Sequence, residues 1–185
     1  METPETFYIY GIFDENASVE NGVKMQDLIW QELTGGLSDM REFVRVTFRL
    51  LAAMLLGAII GLERESTGKP AGVRTYMLVA LASALFVIVP LELGMPLAEV
   101  ARIAQGVATG IGFIGAGAIL KLSENREIQG LTTAAAIWMT AAVGMTVGLG
   151  GLGIGALSVA LTWVILTIID RIEKHLDLVK EKKNA

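Results

Sequence analysis

Residues 128–169 read IQGLTTAAAIWMTAAVGMTVGLGGLGIGALSVALTWVILTII, 42 consecutive positions without an Asp, Glu, Lys or Arg. A membrane-spanning helix needs about 20 apolar residues at a rise of about 1.5 Å each. The run is therefore long enough for two spans, and Gly148-Leu-Gly-Gly-Leu-Gly-Ile-Gly155 supplies the turn between them.

Working outward, three shorter uncharged runs cover residues 50–62, 75–91 and 103–120. The first has only 13 residues and reaches span length by extending back to about Phe43, which places Arg45 and Arg49 where long side chains reach the interface. With 53% hydrophobic residues and a mean hydropathy of +0.57, the chain reads as an all-α integral membrane protein. Its five expected helices cover about 43–62, 73–91, 102–120, 129–147 and 152–171. Pro70, Pro90 and Pro96 fall at or between the expected helix ends, where a missing N–H does least harm.

Orientation follows from where Lys and Arg collect. With the N-terminus outside and the C-terminus inside, the inner segments hold Arg64, Lys69, Arg74, Lys121, Arg126, Arg171, Lys174, Lys180, Lys182 and Lys183, 10 of the 15 basic residues. Residues 1–42 form an acidic external segment without the pattern of a cleaved signal, with an amphipathic stretch at 25–37 that predicts a surface helix. Residues 172–185 form a charged inner tail.

Catalytic chemistry finds little to work with. There is no cysteine, and His175, the one histidine, lies in the tail away from any nucleophile or carboxylate inside a span. Two matches to G-x-G-x-x-G, at 110–115 and 148–153, lack the strand before and the acid after that a dinucleotide site needs. The chain is read as not an enzyme, with no cofactor and no confident metal site.

Three glycine pairs spaced four apart, Gly57 and Gly61, Gly106 and Gly110, and Gly144 and Gly148, predict close helix contacts. The third helix adds Gly112, Gly115 and Gly117, which predicts either the most tightly packed helix or local unwinding around a ligand. Gln105, Thr109, Thr132, Thr133 and Thr140 suit hydrogen bonds between helices. Glu63, Arg64, Glu65, Lys69 and Arg74 gather before Thr75 at the inner mouth of the second helix. They form either a salt-bridged network closing the bundle, or a weak divalent-cation, proton or partner site. Arg102 opens the third helix near Glu92 and Glu99 and is expected to pair there. Residues 69–75 and 126–133 share a Gly-apolar-polar-Thr step, which either marks a two-helix repeat or is chance.

Four motifs now stand in order: Leu-Gly-Ala-Ile-Ile-Gly-Leu-Glu-Arg-Glu65, Gly68-Lys-Pro-Ala-Gly-Val-Arg-Thr75, Ile111-Gly-Phe-Ile-Gly-Ala-Gly117 and Gly130-Leu-Thr-Thr-Ala-Ala135. Over roughly residues 45–170 the chain resembles the MgtC/SapB family of bacterial membrane proteins. The resemblance implies a multi-pass inner-membrane protein linked to adaptation to magnesium limitation or acid stress. The best-known members restrain the F-type ATP synthase, and members are generally not regarded as established magnesium transporters.

The matching positions are Glu63, Arg64, Lys69, Gly72, Arg74 and Thr75, then Arg102, Gly110, Gly112, Gly115, Gly117, Gly130 and Thr133. Virulence-type members carry an extra domain after the last helix, and their glutamine near Arg102 sits one place later. Both differences weaken the inference to the ATP synthase and favour a shorter branch. The first functional expectation is a non-enzymatic modulator of another membrane protein, and the alternative is a Mg²⁺ or proton transporter or channel. Expected partners are the lipid bilayer, by family implication an inner-membrane protein such as the F-type ATP synthase, and a homo-oligomer, with no nucleic acid.

Overall fold

The computed structural model describes residues 40–121, 128–169 and 171–172. The surface helix expected at 25–37 and most of the charged tail lie outside the described residues.

Among the described residues, five helices are long and apolar enough to cross a membrane. They are α1 (Met40–Ser66), α2 (Val73–Glu92), α3 (Leu97–Gly117), α4 (Leu131–Gly148) and α5 (Leu152–Val164), the last continued by one π-helical turn, Ile165–Ile169. Between α3 and α4 lies a two-residue antiparallel ladder, β1 (Leu120–Lys121) with β2 (Ile128–Gln129).

The helix limits differ from the sequence expectation for local reasons. α1 begins at Met40 and carries its charged first turns as helix. α3 begins five residues before the expected 102, because Pro96 caps it with a fixed φ of −58° and a following Pro–x–x N–H bond, Glu99 N to Pro96 O at 2.9 Å. It also stops at Gly117 rather than 120, where the chain enters the ladder. Pro90 sits inside the last turn of α2.

Contacts at the glycines give the packing directions. On α1, a Cβ at Gly57 would lie 2.7 Å from Tyr76 O and one at Gly61 would lie 2.7 Å from Val73 Cα, so α1 and α2 run antiparallel. On α4, a Cβ at Gly144 would lie 2.3 Å from Ala80 O and one at Gly148 would lie 2.8 Å from Ala84 O, so α2 and α4 run parallel. Such backbone contact is the source of association where lipid removes the hydrophobic drive. Fully buried Tyr76, Ile88, Ile137, Val143 and Val147 fill the spaces between.

The third helix is not the tightly packed centre. α2 and α4 are the most buried of the five and α3 the least. Added Cβ atoms at Gly106, Gly110, Gly112 and Gly117 would meet nothing within 4 Å, and only Gly115 approaches a neighbour, Ala134 at 3.6 Å. Glycine density measures how close a helix can be approached. It does not say that this chain supplies the approaching helix.

The span threonines also correct the expectation of interhelical bonding. Thr109 and Thr140 donate to the carbonyls of Gln105 and Ala136 four residues back on their own helices, at 2.9 and 2.8 Å. A direct side-chain bond between helices comes instead from Trp138 Nε1, which donates to Ala108 O at 3.3 Å.

Candidate functional site

The charge cluster forms where α1 ends. Gly68, with φ of 68°, takes the left-handed conformation that stops a helix, and its N–H reaches Glu65 O at 3.0 Å while Lys69 N reaches Arg64 O at 3.0 Å. Ser66 Oγ and Thr67 Oγ1 donate to Glu63 O at 2.9 and 3.0 Å, so the last carbonyls of α1 are satisfied locally.

Glu63 and Arg64 point inward, with 9% and 2% of their surface exposed. Arg64 grips its neighbour with a two-pronged contact, Nε on Oε2 and Nη2 on Oε1, the latter at 2.6 Å. This planar fork-to-carboxylate geometry is the one in which a buried pair offsets part of its desolvation. Nη2 also points toward the Leu166 carbonyl in the π turn of α5, a long contact of 3.5 Å. Beside the pair stands Tyr76 of α2, whose hydroxyl faces Thr133 O in the first turn of α4 at 3.5 Å.

Glu65 turns the other way and is exposed. Its Oε2 accepts from Val73 N at 2.9 Å, occupying an orphan donor at the start of α2 where a negative charge also suits the helix dipole. A Cβ at Gly72 would lie 2.7 Å from that oxygen, so a larger residue there would shift the Glu65 carboxylate. Gly130 opens α4 at the same end but differently, since it takes the left-handed φ of 93° and a Cβ there would strike the Ala118 carbonyl, whereas Gly72 is extended at φ of −99°. α2 and α4 thus both start on a glycine, in two different backbone conformations.

The expected salt-bridged network is therefore corrected. Among the described residues the cluster holds one ion pair, Glu63 with Arg64, and one helix cap, Glu65. Lys69 and Arg74 are exposed and make no ion pair with any described residue, and Thr75 is half-buried. Thr132 is exposed, whereas Thr133 is buried beside Tyr76. Arg102 lies at the opposite end of the bundle and pairs with Glu99 at 3.0 Å, both well exposed.

Three participants escaped the sequence reading. Tyr76 gave a signal, since a phenol inside an apolar run must find a partner. Arg49 donates to Gly148 O at 3.1 Å, serving the carbonyl end of α4 rather than only reaching water. The π turn had no signal in the residue pattern.

Two grooves flank these features. An apolar one of about 630 Å³ lies between α2 and α3, with Leu78, Ala82, Phe86, Gly106 and Gly110 among its walls. The other, about 680 Å³, lies between the charged end of α1 and the end of α5.

A family model described as the MgtC family matches residues 50–175. The chain is 43% identical to Protein SrpB of Synechococcus elongatus over 144 residues, which are 72% of this chain and 79% of that protein. It is 45% identical to "Putative magnesium transporter YhiD" of Escherichia coli strain K12 over 130 residues, 66% of this chain and 59% of that protein. To Protein MgtC of Salmonella typhimurium it is 45% identical over 101 residues, 55% of this chain and 42% of that protein. The chain thus spans less than two thirds of the length of the last two. No solved structure matches it.

Proposed function

Because the chain belongs to the MgtC family, whose members are multi-pass proteins of the bacterial inner membrane, we propose that it is a non-enzymatic protein that modulates another inner-membrane protein during magnesium limitation or acid stress. The observation that carries this reading is the glycine face of α3. Gly106 and Gly110 line an apolar groove and have room for a helix that the chain itself does not put there.

Leucine at both positions tests it. Gly106→Leu with Gly110→Leu puts side chains into the groove from two positions where an added Cβ meets nothing within 4 Å, and wild-type levels in the membrane verify that the variant folds. It is expected to fail to restore growth in low magnesium to a strain lacking the protein. Restoration equal to wild type contradicts the reading.

The name carried by the YhiD relative favours a second reading, transport of Mg²⁺. Against it, no Asp or Glu lies near the middle of any span, and the buried carboxylate nearest the bundle, Glu63, has both oxygens on Arg64. In the proposed orientation the cluster end faces the cytoplasm. A Lys69→Cys variant is then labelled by an impermeant maleimide in inverted vesicles and not in right-side-out ones, and the reverse pattern sinks that orientation.

A further inference from the structure

We propose that the groove between the end of α1 and the π turn of α5 binds an anionic phospholipid, with Arg171 meeting the phosphodiester and the apolar wall holding the start of an acyl chain.

The walls are divided by chemistry. Ile59, Leu62, Trp163 and Leu166 make the apolar part, while Ser66, Thr167 and Arg171 sit toward the charged end. Ile59, Leu62 and Trp163 are also exposed on the outside of the bundle, at 44%, 60% and 45%, so the groove opens sideways onto lipid. A tryptophan and an arginine lining one groove near a helix end fit the level of the headgroups.

Charge decides the class of ligand. Two charged residues line the groove, Glu63 and Arg171. Both oxygens of Glu63 are held by Arg64, and Arg171 has no ion pair among the described residues. Among the described residues the unneutralised charge facing the groove is thus positive, and it complements an anion. Arginine also presents parallel N–H groups to a phosphate.

The π turn adds a second, independent observation. Thr167 lies within it, and its Oγ1 is buried with no hydrogen-bond partner. Buried hydroxyls are rarely left so, and single π turns recur at binding sites. Thr167 lines the same groove as Arg171, so this unpartnered hydroxyl belongs to the wall on which a phosphate would sit. Free phosphate would satisfy the polar end alone, whereas the apolar, lipid-facing wall fits a phosphate that carries an acyl chain.

Native mass spectrometry of the full-length protein in neutral detergent tests the site. The probes are dioleoylphosphatidylglycerol, dioleoylphosphatidylethanolamine and inorganic phosphate. Wild type is expected to retain phosphatidylglycerol over phosphatidylethanolamine, Arg171→Gln to lose about tenfold in that retention, Thr167→Val to lose a smaller part, and Arg171→Lys to keep most of it. Arg45→Gln, an exposed arginine at the opposite end, should change nothing. Unchanged thermal unfolding of Arg171→Gln shows that the fold is intact. Equal retention by wild type and Arg171→Gln overturns the proposal, as does equal loss in Arg45→Gln. Displacement of the lipid by inorganic phosphate at equal concentration overturns it too, since the site would then take the free anion.

Discussion

Glu63 and Arg64 are neighbours in sequence that share one buried contact, and their energetics are asymmetric. Bringing two charges out of water is costly, and the pair offsets this only while both members remain. Glu63→Gln leaves Arg64, 2% exposed, without a countercharge. The variant is expected to lose about 3–5 kcal/mol of stability, whereas Glu63→Leu with Arg64→Met, which removes both charges, loses much less. Thermal unfolding in detergent with a tryptophan probe reads the difference, and equal losses in the two variants would refute the asymmetry. The sequence made these residues conspicuous as charges at a span end, yet it could not tell which pair. Glu65 looks equivalent on paper and points outward to cap α2 instead. Tyr76 and Thr133 meet because α2 packs beside α4, and that pairing is not written in either segment alone.

Among elements, the deciding contrast is between glycines that look alike. Gly144 and Gly110 both belong to four-residue glycine pairs on apolar helices. A Cβ at Gly144 would strike the Ala80 carbonyl at 2.3 Å, and one at Gly110 would strike nothing. Gly144→Ala should therefore destabilise by at least about 1–3 kcal/mol, the usual range for overpacking, while Gly110→Ala leaves unfolding unchanged or slightly improved, since alanine favours helix. A matching loss in both would mean that α3 is packed within the bundle after all. Helix number and approximate position were legible because charges bound each apolar run and cannot enter hydrocarbon cheaply. Helix order in space was not, because small residues permit close approach without naming the neighbour. The π turn of α5 was equally hidden, for Ile165-Leu-Thr-Ile-Ile169 is as compatible with an α-helix.

For the whole molecule, the parallel pair α2 and α4 forms the core, α1 and α5 close around it, and α3 leaves a glycine face outward. The two central helices both start on a glycine at the charged end, but Gly72 is extended at φ of −99° and Gly130 left-handed at φ of 93°, so the two openings share a residue type and not a conformation. An interior built this way is apolar apart from the Glu63–Arg64 pair at one end and a few buried hydroxyls. It suits a rigid body that presents a surface better than a pathway that must solvate an ion. The most direct test of that distinction is Mg²⁺ and proton flux into proteoliposomes holding the purified full-length chain, verified as folded. Flux no greater than in protein-free liposomes is expected. Flux that rises with protein content and saturates with Mg²⁺ would contradict that expectation and make the protein a transporter.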